Sequence, residues 1–281
     1  MTISAWRSIG RAIGAAILLA SAVIVCGVRA ETPAKNSGWL SDPQTHCRVW
    51  DDDMQPGEEV HWKGACRNGI AEGPGVTEWL KDGKLTQTVE GSLKAGRLDG
   101  RILIHFANGA RVETEFRDGL VDGLNVVIAA DGTRTTRQFR AGKPVGRVQV
   151  VWTNGGKLDG DIDEDGQMHG IRSWPSGDRY EGDFKNYLAD GKGSFIRADG
   201  LRYKGDFVAG RMEGEGEMLF SDGGVYQGSW QADKPNGRGT MRAANGQIYR
   251  GFWTDGCLTE ANSDNGMWAA SGRSAASCGF E

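Results

Sequence analysis

The sequence predicts an all-β protein, a single elongated layer of antiparallel β-hairpins repeated end to end. Three observations predict it. A short phrase recurs nine times between residues 62 and 256: an aromatic or apolar residue, then x-Gly-x, a second aromatic or apolar residue and a glycine-rich return. Its cleanest copies start at Tyr180, Tyr203, Tyr226 and Tyr249, each 23 residues after the last, and a fixed period of that length marks a repeat architecture. The 281-residue chain also holds 44 Gly but only 7 Pro, so glycine is placed for turns and close backbone approach rather than for a low-complexity linker.

The first thirty residues stand apart from this period. Arg7 and Arg11 lead into an apolar run from Ala12 to Val25, followed by Val28-Arg29-Ala30. This reads as a signal peptide cleaved after Ala30, because the run is shorter than a membrane span; a retained N-terminal anchor is the alternative. Cys26 follows Val23-Ile24-Val25 and lacks the small residues expected before a lipidated cysteine. The expected location is therefore periplasmic or secreted. Residues 31–59 form an N-terminal cap segment, 60–257 the repeat array of about nine units, and 258–281 a C-terminal cap tail in which Trp268 is placed to cover the last hairpin.

Within the array, Tyr180-Glu181-Gly182-Asp183-Phe184 alternates apolar with charged residues, the period of a half-buried strand. The central glycine lies on the apolar face, where the missing side chain lets a ring lie over the backbone. Gly191-Lys192-Gly193-Ser194-Phe195 runs back as the second strand, so each repeat is one hairpin. Nine hairpins give about 18 strands, roughly 80 Å of ribbon at about 4.8 Å per strand. Degenerate copies start at Trp62, Val89, Val112, Thr135 and Leu158.

Charge and cysteine usage narrow the function. Loss of residues 1–30, which hold three arginines and no acid, takes the formal charge from −4 to −7. An acidic product is a poor partner for nucleic acid or for anionic lipid held by charge alone, and no basic face or amphipathic helix is evident. Four cysteines remain, Cys47, Cys66, Cys257 and Cys278, all at the ends of the array. Three connectivities are open, of which local pairing, Cys47–Cys66 and Cys257–Cys278, is the simplest in an oxidising compartment; free thiols or a metal site are the alternative.

The phrase resembles that of MORN-repeat proteins (membrane occupation and recognition nexus), with the pattern Y-x-G-x-[WF]-x-x-G-x-x-x-G-x-G. The resemblance covers about residues 60–257 and is tightest from Tyr180 onward. It loosens from Val89 to Gly166, where Val89, Val112, Thr135 and Leu158 replace the leading tyrosine and Thr114 and Arg137 the central glycine. Cys47-Arg48-Val49-Trp50 with Trp62-Lys63-Gly64-Ala65-Cys66 looks like the disulfide-capped first repeat of exported bacterial members, which supports a Cys47–Cys66 bridge. The resemblance implies a groove used for partner peptides or for self-association.

Each candidate for chemistry has a bland counterpart. Tyr180, Phe184, Tyr203, Phe207, Tyr226, Trp230, Tyr249 and Trp253 line one face. Packing is their main expected role, but a single layer has no second layer to cover them, so part of the ladder is expected to remain open as a partner-binding groove. Asp161, Asp163 and Asp165 open a D-x-D-x-D-G run like that of a calcium loop, but Arg172 stands at the twelfth position, so a solvated acidic turn is the stronger reading. Asp51-Asp52-Asp53 reads as a solvated loop. Histidines are few and scattered, His169 near Asp163 and Asp165 being the best catalytic grouping; nucleophile-elbow, zincin and complete Walker motifs are absent. The sequence thus predicts a non-catalytic exported scaffold, without cofactor, that recognises a protein or peptide. Homo-oligomerisation is compatible with it; membrane-surface binding is the alternative, disfavoured by charge. A calcium-dependent protein or an enzyme comes last.

Overall fold

The structure is a computed structural model that describes residues 37–163 and 165–261. Every regular element among them is a β-strand. The chain divides between Thr153 and Asn154 into two compact units. The N-terminal unit holds β1 (Gly38–Ser41), β2 (Arg48–Asp51), β3 (Glu58–Arg67), β4 (Ile70–Lys81), β5 (Lys84–Lys94), β6 (Arg97–Phe106), β7 (Arg111–Arg117), β8 (Leu120–Ile128), β9 (Arg134–Arg140) and β10 (Lys143–Val151). The C-terminal unit holds β11 (Lys157–Ile162), β12 (Met168–Ser173), β13 (Arg179–Lys185), β14 (Leu188–Ile196), β15 (Arg202–Val208), β16 (Arg211–Leu219), β17 (Val225–Gln231), β18 (Lys234–Arg242), β19 (Ile248–Thr254) and β20 (Cys257–Ala261). All nine phrase starts fall on odd-numbered strands from β3 to β19, and their returns form the even-numbered ones. The antiparallel hairpin array is the architecture the period predicts.

Register explains the glycines. Gly170, Gly182, Gly193, Gly205, Gly216, Gly228, Gly239 and Gly251 pair strand to strand in one row across β12–β19. A methyl group at Gly193 would lie 2.3 Å from the Tyr180 hydroxyl, and one at Gly216 2.4 Å from that of Tyr203. The tyrosine ring thus occupies the space an alanine would need. Each hydroxyl donates to the carbonyl three residues on, Tyr180 to Asp183 at 2.9 Å and Tyr203 to Asp206 at 3.1 Å, so the buried phenol has an acceptor.

The turns form a second ladder. Two-residue hairpin turns with both residues at positive φ, such as Ala209-Gly210 and Asp255-Gly256, match the right-handed twist of the strands they join. Several of these turns donate to the residue just past the preceding one: Gly119 N–H to Leu98 at 3.2 Å, Gly142 to Val121 at 2.8 Å, Gly210 to Ala189 at 2.8 Å and Gly256 to Pro235 at 2.9 Å. Carboxylates reinforce this, Glu72 accepting from Ala95 N–H at 2.8 Å and Asp190 from Ala209 N–H at 3.1 Å.

At the N-terminal edge, Cys47 and Cys66 form a disulfide across 5.8 Å between Cα atoms. Beside it, Asp42 is buried and accepts from the backbone N–H groups of Gln44, Thr45 and Trp62, the last at 2.6 Å. Burial pushes this carboxyl up, but the three backbone donors outweigh it and hold its pKa below the ordinary value. The β1–β2 hairpin lies against the turns, Trp50 N–H donating to Gly96 at 2.9 Å, and the Arg97 guanidinium lies 4.2 Å from the Trp50 ring centroid. The aspartate run differs from expectation here. Asp51 is fully buried, and Asp52 accepts from the Trp50 indole at 2.9 Å and faces Arg97, so it is part of the cap and not a solvated loop.

Candidate functional site

The aromatic ladder in the C-terminal unit is one continuous edge-to-face chain. Tyr180 meets Phe184 and Phe207 at 5.0 and 4.9 Å between centroids, Tyr203 meets Phe207 and Trp230 at 5.1 Å, and Tyr226 meets Trp230 and Trp253 at 5.2 Å. Such T-shaped contacts favour the rings' opposed quadrupoles. Tyr203 and Tyr226 are 0% exposed, and Tyr180, Phe184, Phe207, Trp230 and Trp253 are also buried; Tyr249 is half-buried. Burial, together with nearby carboxylates, raises the pKa of the Tyr180, Tyr203 and Tyr226 phenols, which stay neutral. In this chain's own packing the rings assigned to a partner face one another.

The opposite face of the same strands carries a groove of about 600 Å³. Its floor is the backbone of the glycine row at Gly182, Gly193, Gly205 and Gly216. One wall is internally bonded: His169 Nδ1 lies 2.9 Å from Asp183, Lys192 pairs with Asp206, and the Ser229 hydroxyl donates to Glu215 at 2.7 Å. The Lys192 ammonium holds the Asp206 carboxyl below its usual pKa. The other wall starts at Glu181, which pairs with Arg179 at 2.8 Å, and continues in register on successive strands through four residues, Ser194, Lys204, Glu217 and Gln227. The side chains of these four make no hydrogen bond or ion pair among the described residues. One wall is therefore fixed, and the other offers donors and acceptors at strand spacing, about 4.8 Å.

Beyond the second wall runs a row the sequence reading missed. Arg179, Ile196, Arg202, Leu219, Val225, Arg242 and Ile248 are paired in succession across β13–β19. Leu219 and Ile248 are 38% and 52% exposed, and Arg202 and Arg242 are exposed. Three arginines stand in this row, Arg179 paired with Glu181 at 2.8 Å and Arg202 and Arg242 exposed. The row's signal is the cation just before five of the nine phrases, Arg111, Arg134, Lys157, Arg179 and Arg202, but Ile196, Leu219 and Arg242 come from the return strands and need register to be seen.

The acidic run does not converge. The Asp163 carboxylate accepts from Asp165 N–H at 3.0 Å and Gln167 N–H at 2.8 Å and so closes its own turn, while Asp161 stands on β11 opposite His169. Among the described residues no three acidic, histidine or cysteine side chains form a cluster fit for a metal. His169 is joined to Asp183 rather than to Asp163 or Asp165. Cys257 is not a free thiol; Cys278, its expected partner, lies outside the described residues, as do the signal segment and Trp268.

Fold and site together define an all-β hairpin-repeat protein with a polar groove on its outward face. The MORN repeat model matches residues 165–179, 180–202, 203–225 and 226–248, so the chain carries four MORN repeats, a type of repeat that serves protein or membrane interactions. No curated protein matches the chain. Among solved structures, it is similar to the TCP domain of SAS-4 (dCPAP) of Drosophila melanogaster, determined in complex with a proline rich motif of Ana2 (dSTIL). The identity is 17%, over 55% of this chain and 85% of that one, with a TM-score of 0.32, too low for a structural argument.

Proposed function

We propose that this is a non-catalytic, exported binding or scaffold protein that recognises an extended segment of a partner protein in the outward groove of its C-terminal unit. The carrying observation is the asymmetry of the groove. The wall of His169, Asp183, Lys192 and Asp206 is bonded to itself, whereas Ser194, Lys204, Glu217 and Gln227 face the groove without side-chain partners among the described residues. An extended peptide carries unpaired backbone N–H and C=O groups along its length, and such a polar row over a flat glycine floor suits it. The buried ladder keeps the floor flat and rigid. Export is supported by the N-terminal sequence and by the Cys47–Cys66 disulfide, a bond that persists in oxidising compartments.

The test is a crosslinking pull-down from extract with the wild-type chain beside a Lys204→Glu/Gln227→Ala variant, both side chains being exposed. A protein captured by wild type and lost by the variant supports groove recognition; equal capture by the two sinks it. The arginine and aliphatic row favours a second reading, attachment to an anionic membrane surface, with guanidiniums at the headgroups and Leu219 and Ile248 below them. Co-sedimentation with vesicles rich in anionic lipid, lost in Arg202→Glu/Arg242→Glu and weakened by salt, would support that reading over the first.

A further inference from the structure

Strands covered on one face alternate apolar with polar residues, whereas strands covered on both read as continuous apolar runs. In the C-terminal unit β13, β15 and β17 alternate. In the N-terminal unit β6 contains Ile102-Leu103-Ile104 and β8 ends in Val126-Val127-Ile128. Ile102, Ile104 and Val127 point into the core. The alternate residues Leu103, Val126 and Ile128 point outward and are half-buried, and Leu124, next on the same side of β8, is 52% exposed. Leu103, Val126 and Ile128 floor a depression of about 220 Å³, lined also by His105, Arg111, Arg134 and by Glu113, which stands between Leu103 and Val126.

The rim has a definite charge. Ile128 pairs in register with Arg111 on one side and Arg134 on the other, so the two arginines flank the end of the β8 ridge. Neither makes a hydrogen bond or ion pair with a side chain among the described residues, while the neighbouring Glu113 is taken up by Arg101. Two strand spacings put the arginines about 10 Å apart, which is the diameter of an α-helix with its side chains. From Leu124 to Ile128 the ridge runs about 13 Å, with an outward residue every 6.7 Å or so. A helix presents side chains at i, i+4 and i+8 at steps of about 6 Å. The three ridge residues therefore match one side of a two- to three-turn helix laid along β8, whose end falls between Arg111 and Arg134. Carbonyls and carboxylates at a helix C-terminus are the groups two free guanidiniums favour.

We propose that the outward face of β8 docks an amphipathic helix of a partner protein, aliphatic along one side and acidic in its last turn. This surface is separate from the groove and stands or falls independently of it. The probe is a labelled helical peptide with Leu at i, i+4 and i+8 and two glutamates in its last turn, titrated with the full chain by fluorescence anisotropy. The same peptide with lysines for the glutamates is the control. The glutamate peptide is expected to bind about tenfold more tightly, with Leu124→Ser weakening both peptides and Arg111→Glu/Arg134→Glu reversing the preference. All three positions are exposed, so the core is spared, and circular dichroism checks it. Equal affinity for the two peptides, no binding of either, or a preference that survives the arginine reversal overturns the proposal. Self-association of the peptide-free chain that Leu124→Ser abolishes also overturns it, assigning the face to a second copy.

Discussion

The two units are built on the same hairpin but solve the core differently. In the C-terminal unit a tyrosine ring fills the space over each paired glycine, as Tyr203 does over Gly216, and the aromatic ladder forms a core from one side of a single sheet. In the N-terminal unit Trp62 still lies over Gly75 in the first repeat, but the row goes on to Thr114, Asn125 and Arg137, and the core around them is mainly aliphatic, Val89, Ile102, Ile104, Val112 and Val127 with Phe116 and Phe139. The Thr114 hydroxyl and both amide atoms of Asn125 are buried there without a hydrogen bond among the described residues. The regular repeats thus spend their pattern on rigidity. The irregular ones give up packing quality on the inner face and carry apolar side chains on the outer one, which suits them for contact.

The largest test of this contrast is removal of a ring. Tyr203→Ala empties a fully buried site and is expected to cost about 3–5 kcal/mol in urea unfolding, whereas Val112→Ala, at the equivalent place in the N-terminal unit, costs about 2 kcal/mol. Equal losses would mean the ladder is no stronger a core than the aliphatic one. Tyr203→Phe keeps the ring and loses only the bond to the Asp206 carbonyl, about 1 kcal/mol.

Next in size is Asp42. Its folded pKa is depressed, so its contribution is fully present above the unfolded carboxylate pKa of about 3.9 and is lost as pH falls through the lower folded value. Asp42→Ala is expected to cost about 1–3 kcal/mol at neutral pH. In a pH series of melts the gap to wild type should begin to narrow below about pH 4 and go on shrinking as pH falls through the lower folded value; a gap unchanged in strong acid would mean the carboxylate is not the cause.

The smallest effect has the opposite sign. Asn125→Leu replaces a buried amide without partners and is expected to stabilise the chain by about 1–2 kcal/mol, read as a higher denaturant midpoint at unchanged slope. A loss instead would show that the amide has a structural role in the irregular repeats.

Much of the fold was legible because the repeat carries its own phase. Tyr180, Tyr203, Tyr226 and Tyr249 set the strand starts, and the glycine between two aromatics set the inward face. The site was less legible. The ring ladder is visible in sequence as a list of aromatics, but whether a ring is covered depends on its cross-strand neighbour, and here Phe207 and Trp230 close over Tyr203. The outward groove and the arginine row are made by residues from odd and even strands that become neighbours only through register, as Arg202 does with Ile196 and Leu219. Asp51 and Asp42 were illegible for another reason: the groups that bury or bond them, such as Trp62 N–H, are distant in sequence.

The ladder of turns has a genetic consequence. Because a hairpin turn of this kind brings one donor toward the turn before it and one acceptor toward the turn after, an in-frame duplication of 23 residues arrives with both of its joints already made. Such a chain can lengthen or shorten by unequal recombination without inventing an interface, and point mutation is then left free to individualise the copies.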